Sequence, residues 1–307
     1  VAAPFIGIAA TIGILSSQTA PTAILAMGLL GAAAGYCFAV SLRLAIFGLS
    51  VALALLVAQG LFLPAGDAWA ALLFGTLGGL MQAAWSLLVW FFDDRAADDE
   101  ASGWNARAAG AALAANLSLS SPSARHAIRF GTALAAGVAL YRLLDMEDHG
   151  FWIPLTILFV MRPERGETYH RLVLRAVGTV LGLVLATVAA EALGGEELVI
   201  GVLLTAAAAL TFGLLTVQYA LFTAAITVYV VLLDDTLGAG AFEAAGQRAT
   251  GTALGIAIAA IAFLLWPNSD EGEGRGRRRG RRRPRPGRFW PASQTARAPR
   301  QRQERRF

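Results

Sequence analysis

The sequence predicts an all-α, polytopic bundle of transmembrane helices, and three observations carry that prediction. The 307 residues are 56% hydrophobic and 15% charged, where a soluble domain carries about a quarter charged residues; mean hydropathy is +0.59. Apolar stretches recur along the chain, several of them with the roughly 20-residue length of a membrane-spanning helix. An octapeptide, Arg175-Ala176-Val177-Gly178-Thr179-Val180-Leu181-Gly182, returns as Arg248-Ala249-Thr250-Gly251-Thr252-Ala253-Leu254-Gly255, identical at six of eight positions.

The apolar stretches fall at about 2–16, 20–41, 44–63, 69–92, 127–144, 150–161, 172–192, 197–215, 219–233 and 246–266, giving about ten helices. Those at 2–16, 150–161 and 219–233 are short for a full crossing, and predict truncated, tilted or re-entrant segments. Val1 opens directly into apolar sequence, with no charged n-region or cleavage pattern, so a fragment or a non-standard start is expected in place of a signal peptide. Residues 69–90 match 245–266 in register, Gly75-Thr76-x-x-Gly79 falling on Gly251-Thr252-x-x-Gly255, and Trp90 on Trp266. With a one-residue gap, Arg43-Leu44-Ala45-Ile46-Phe47 falls on Gln218-Tyr219-Ala220-Leu221-Phe222. The chain therefore reads as two homologous membrane halves. Residues 1–92 form a truncated first half of about four helices, 93–125 a flexible linker, 126–267 a six-helix second half, and 268–307 a disordered Arg-rich tail.

Charge sets the expected orientation. Residues 1–269 carry 11 arginines against 17 acids, and the rest of the chain 14 arginines against four. Arg125, Arg129, the loop Arg162–Arg171 and the tail are basic, whereas the alternate loops carry Asp145/Glu147/Asp148, Glu191/Glu196/Glu197 and Asp234/Asp235/Glu243. The positive-inside rule puts the basic set, with Arg43 and the linker, in the cytoplasm, and Asp67 outside.

The repeated motif frames the functional question. Gly178/Gly182, Gly251/Gly255 and Gly75/Gly79 each lie on one helix face, where small residues let backbones approach closely in lipid, and Thr179, Thr252 and Thr76 add hydrogen-bonding capacity. Arg175 reads either as a positive-inside anchor that snorkels to headgroups or as a pore-lining group. Arg248 fits the anchor reading less well, being the arginine on the outer side of the second half. An arginine within the bilayer is a functional candidate because its burial is unfavourable; both arginines are expected near opposite membrane faces, lining an anion path. Their opposed orientation, three helices apart, hints at an inverted 3+3 repeat. Trp152 is either an interfacial anchor or a platform for an aromatic substrate. Arg162 and Arg165, with Glu167, His170 and Arg171, make either a topogenic loop or an anion-collecting vestibule.

Several chemistries are excluded. The chain has no lysine, hence no Gly-x-x-x-x-Gly-Lys phosphate loop. Three scattered histidines and the single Cys37 offer no metal cluster and no disulfide, and no nucleophile–base constellation is present. Neither an enzyme nor a cofactor is expected. The tail reads as a disordered extension of topogenic value; contact with membrane-lipid headgroups and nucleic-acid binding are the electrostatic alternatives, the latter without the interleaved aromatics of specific recognition.

His149-Gly150-Phe151-Trp152, then Met161-Arg162-Pro163-Glu164-Arg165-Gly166-Glu167-Thr168, then Arg175-x-x-Gly178-Thr179-x-x-Gly182 resemble the fusaric-acid-resistance-like (FUSC) group of membrane proteins. That group is related to aromatic acid exporters and, more distantly, to plant aluminium-activated malate transporters. The resemblance covers about 126–267 well and 20–92 weakly. It implies efflux of small, often aromatic, organic anions through two six-helix halves, with pore arginines like those in the related anion channels. Two departures stand out: Leu72 occupies the first-half position equivalent to Arg248, and the large cytoplasmic domains common in the group are absent. The expected protein is thus a multi-pass exporter of the bacterial inner membrane, with proton coupling as the candidate drive and a homodimer as a means of supplying missing surface. A passive organic-anion channel and a non-transporting membrane scaffold stand as the alternatives.

Overall fold

A computed structural model describes residues 3–92, 106–116, 118, 121–146, 149–193, 196–215 and 217–265. The tail, residues 93–105 of the linker and the matching residue Trp266 lie outside the described residues. Every regular element among them is helical: α1 (Ala3–Ser17), α2 (Ala20–Tyr36), α3 (Leu42–Gly60), α4 (Ala68–Phe92), α5 (Ala106–Ala115), α6 (Pro122–Leu143), α7 (Trp152–Val160), α8 (Arg165–Leu193), α9 (Glu197–Leu214), α10 (Tyr219–Thr236) and α11 (Ala241–Leu265). Ten of these lie on the expected apolar stretches, and α5 falls within the linker.

Polar residues start the helices. Thr19 and Ser41 cap α2 and α3; Ser121 Oγ accepts from the Ala124 N–H at 3.0 Å to start α6, with Pro122 in its first turn; Gln218 Oε1 accepts from the Ala220 N–H at 2.9 Å to start α10. Each satisfies an N–H that the helix itself leaves unpaired. Two helices start earlier than expected. Helix α6 begins four residues before the expected second half, and α8 begins at Arg165, seven residues before its apolar stretch.

Among the described residues, six helical segments are long and apolar enough to cross a bilayer: Ala20–Ala39, Leu42–Gly60, Ala65–Trp85, Arg165–Ala192, Tyr219–Thr236 and Ala241–Leu265. The stretch expected at 219–233 is therefore long enough after all. Helices α1 and α9 are shorter apolar helices. The outward faces are apolar, as a lipid solvent requires: Val177, Val180, Val184 and Val188 on α8 and Trp69, Phe74, Met81 and Trp85 on α4 are all exposed.

Helix α7 takes another role. Nine residues rise only about 13 Å, under half the hydrocarbon thickness of roughly 30 Å, and all but Phe159 are buried. It is the centre of the main core, with Ile153, Ile157 and Val160 fully buried among Leu134 and Val138 of α6 and Ala259 and Phe263 of α11. That core runs on into Met27 of α2 and Leu55 and Leu56 of α3, so the two halves share one interior. Gly31 of α2 lies against Leu134 and Gly131 of α6. Arg142, at the end of α6, donates to the Ser17 carbonyl at the end of α1 at 2.7 Å and lies 4.5 Å from the Phe62 ring centroid.

Candidate anion site

The repeated motif builds the same contact twice. On α8, a Cβ added to Gly182 would fall 2.6 Å from both the Ala224 carbonyl and Thr227 Cβ of α10, and Gly178 sits one turn earlier against Ala220 and Thr223. On α11, a Cβ added to Gly255 would fall 2.6 Å from the Ile153 carbonyl and Thr156 Cβ of α7, and Gly251 sits against Trp152. In both crossings a glycine meets a carbonyl and, three residues on, a threonine. Thus α7 is to α11 what α10 is to α8. The helix triplets α6–α8 and α9–α11 interlock by exchanging their last helices, an arrangement a 3+3 repeat makes. In the first half Gly75 and Gly79 of α4, flanking Thr76, close instead on Gly7 and Ala3 of α1.

The buried stripe of each repeated helix carries its arginine inward. On α8 the stripe is Thr168, Leu172, Arg175, Thr179, Gly182 and Ala186; on α11 it is Ala244, Arg248, Thr252, Gly255, Ala259 and Phe263. Arg175 and Arg248 are each 1% exposed, so neither snorkels. Arg175 stands ten residues into α8 and Arg248 seven residues into α11, depths of about 15 and 10 Å. Both arginines therefore stand well inside the bundle, away from the ends of their helices. Helix α8 starts ahead of its apolar stretch, at the turn where Thr168 Oγ1 accepts from the Arg162 N–H at 2.8 Å, and this sets Arg175 deeper along it.

Both guanidiniums rest on rings of helix α7. Arg248 stacks on the Trp152 ring at 3.6 Å to the centroid, and Arg175 stands 5.7 Å from the Phe159 centroid at the other end. Such contacts satisfy the ring faces of the cations and none of their N–H groups. Every guanidinium nitrogen of both residues, Nε, Nη1 and Nη2, lacks a hydrogen-bond partner, and so do the buried hydroxyls of Thr156, Thr179, Thr252 and Tyr219. Among the described residues no carboxylate lies within ion-pair distance of either arginine. Asp234 is the acid whose charge acts on Arg248, and its carboxylate is 3.9 Å from His149 Nε2. Each guanidinium carries five N–H donors and no acceptor, and a buried unpaired donor costs about 1–3 kcal/mol, more when charged. The cluster has the chemistry of an anion receptor.

The other expected site residues are placed differently. Trp152 is 7% exposed; it faces neither lipid nor an open cavity, being covered by Arg248 and by Gly251. Arg165 is exposed at the start of α8, away from the pair. Arg162 is half-buried in the α7–α8 turn, donating to its own neighbour's carbonyl, Met161 O, at 2.9 Å. Burial first, then the charge of Arg171, pushes its guanidinium down to about 10, still cationic at neutral pH. Arg129 of α6 stacks on Phe263 at 3.7 Å and meets the Pro163 carbonyl at 3.5 Å, joining Arg162 and Arg171 at what we term the basic end of the bundle. His149 and Asp234 mark the acidic end. Thr156, Tyr219, His149 and Asp234 were not singled out as site residues from sequence; only the lone hydroxyl within the apolar run Ile153–Val160 gave any sign of Thr156.

Comparison with known proteins gives the same region an ancestry. Residues 134–262 match the model of the family described as fusaric acid resistance protein-like. The chain is 39% identical over 148 residues to the inner membrane protein YccS of Escherichia coli (strain K12), covering 47% of this chain and 20% of that protein. It is 31% identical over 123 residues to the protein slr1298 of Synechocystis (39% and 16% covered) and 31% identical over 159 residues to a Haemophilus influenzae protein (52% and 22%). The chain thus spans about a fifth of the length of these curated relatives. No solved structure matches it.

Proposed function

Because residues 134–262 form a domain of the fusaric acid resistance protein-like family, we propose that this transporter-like membrane protein exports small organic anions, aromatic carboxylates foremost, across a bacterial inner membrane. The observation that carries the reading is the pair Arg175 and Arg248, each buried against a ring of α7 with every N–H unpartnered. In this reading a carboxylate accepts from both guanidiniums and from the unpartnered hydroxyls of Thr156, Thr179 and Thr252. Charge-assisted hydrogen bonds of this kind are about twice as strong as neutral ones, and little water competes for them. In this reading the basic end faces the cytoplasm, where Arg162, Arg165 and Arg171 collect anions. The acidic end faces outward. Proton coupling, the candidate drive, falls to Asp234 beside His149: protonation of Asp234 removes a negative charge near Arg248 and strengthens its hold on an anion, so proton and anion occupancy are linked through one guanidinium.

The test is flux of benzoate from proteoliposomes with and without an imposed pH gradient. Gradient-driven flux that Arg248→Gln abolishes is expected. Flux indifferent to the gradient would put a passive organic-anion channel in its place, and no flux in either condition would leave a scaffold.

A further inference from the structure

Three aromatic rings link the basic end to the buried pair. Tyr219, the first residue of α10, has its ring centroid 5.8 Å from that of Phe222, and Phe222 lies 5.7 Å from Phe159 of α7. Cations stand at both ends of this row: Arg171 is 5.0 Å from the Tyr219 centroid, and Arg175, one helical turn deeper on the same helix, is 5.7 Å from Phe159. Phe222 is buried and Tyr219 half-buried, with a phenolic oxygen that is itself buried and unpartnered. Tyr219 therefore occupies a particular place: its ring lies under Arg171 of the basic end and against Phe222, the next ring inward.

We propose that Tyr219, Phe222 and Phe159 form an aromatic gate between Arg162 and Arg171 on one side and the Arg175–Arg248 pair on the other. An aromatic carboxylate passes it by exchanging the gate's ring contacts for its own while its charge moves from Arg171 to Arg175. The chemistry follows from the row itself. Rings at these separations attract through offset or tilted faces, so a travelling ring replaces what it displaces. A saturated acid of the same size offers no such exchange. The unpartnered Tyr219 hydroxyl supplies a donor for the carboxylate as it leaves Arg171. This gate deepens the anion-export reading by naming its inner gate and the source of its aromatic preference, and it rests on that reading.

The gate can be tested without transport. In a Cys37→Ser background, Thr179→Cys places a lone thiol beside Arg175, and a small anionic methanethiosulfonate reports access to it. Tyr219→Ala and, as a milder second variant, Phe222→Leu are each expected to raise the modification rate about tenfold or more, as removal of a gating side chain does. Both proteins must elute as monodisperse as the parent. An unchanged rate in both variants overturns the gate, even where anion binding at the arginine pair stands. The preference is read from the unmodified gate: benzoate is expected to slow modification at concentrations about tenfold below those at which cyclohexanecarboxylate does so. Equal protection by the two acids overturns the ring-exchange step. Loss of anion binding on Arg175→Gln bears on the export reading and leaves the accessibility result intact.

Discussion

Replacing Arg248 by methionine should stabilise this protein in the absence of anions, and the structure allows the size of the effect to be worked out. The guanidinium is 1% exposed, with no hydrogen-bond partner at Nε, Nη1 or Nη2. Holding an arginine within the bilayer costs at least about 2.5–3.5 kcal/mol. Against this stands the stack on Trp152 at 3.6 Å, which contributes about 2 kcal/mol when desolvated. Methionine keeps most of the volume and removes both, as well as the repulsion from Arg175. The balance favours the variant by about 1 kcal/mol or somewhat more, within the range seen when buried charges are replaced by apolar residues. Anions reverse the order: at a hundredfold excess over its Kd, benzoate should stabilise the parent by about 2.7 kcal/mol and the variant by nothing. Thermal unfolding in detergent, followed by tryptophan fluorescence with and without benzoate, measures both. A loss of more than about 3 kcal/mol in the anion-free variant would refute the reasoning, because that is the cost of stranding a charged partner.

Other substitutions follow from the same contacts. Gly182→Leu must displace the Ala224 carbonyl or Thr227, and should destabilise by about 1–3 kcal/mol in the same unfolding assay. Gly201→Ala on α9, with nothing within 4 Å, should be neutral or stabilising by up to about 1 kcal/mol. Arg142→Met removes the 2.7 Å bond to the Ser17 carbonyl and the contact with Phe62; a loss of about 1–3 kcal/mol is expected, with no change in benzoate affinity by titration. For orientation, Arg165→Cys in a Cys37→Ser background should react with an impermeant maleimide only in inside-out vesicles, and Asp67→Cys only in right-side-out ones. The reverse pattern would invert the proposed direction of export.

The all-helical architecture was legible because lipid demands it: with no water to satisfy backbone groups, apolar runs such as 172–192 and 246–266 must close their own hydrogen bonds. Helix boundaries were less legible. The apolar signal begins at Leu172, whereas α8 begins where Thr168 and Arg162 bond each other at the turn, and that shift carries Arg175 into the interior. Helix α7 shows the other limit. Its composition marks Trp152–Val160 as apolar, but nothing in a nine-residue run says that other helices surround it on nearly every side. The motif repeat singled out Arg175 and Arg248 one helix at a time. Their convergence is tertiary, arising because α8 packs on α10 and α11 on α7 around the same short helix. For Trp152 the sequence shows a tryptophan next to charged residues, while the Gly251 contact and the stack under Arg248 are tertiary. Tyr219 carried no sign beyond its place after a helix cap, since an unpartnered hydroxyl is a property of surroundings and not of sequence.

The claim that Arg175 and Arg248 hold one anion between them is tested most directly by a double-mutant cycle on benzoate affinity, measured by calorimetric titration of the parent, Arg175→Gln, Arg248→Gln and the double variant. Two guanidiniums sharing one carboxylate predict that each single change weakens binding by about tenfold or more, and that the double change costs less than the sum of the two, as groups in direct partnership do. Affinity unchanged in either single variant, or strictly additive losses, would contradict the shared site.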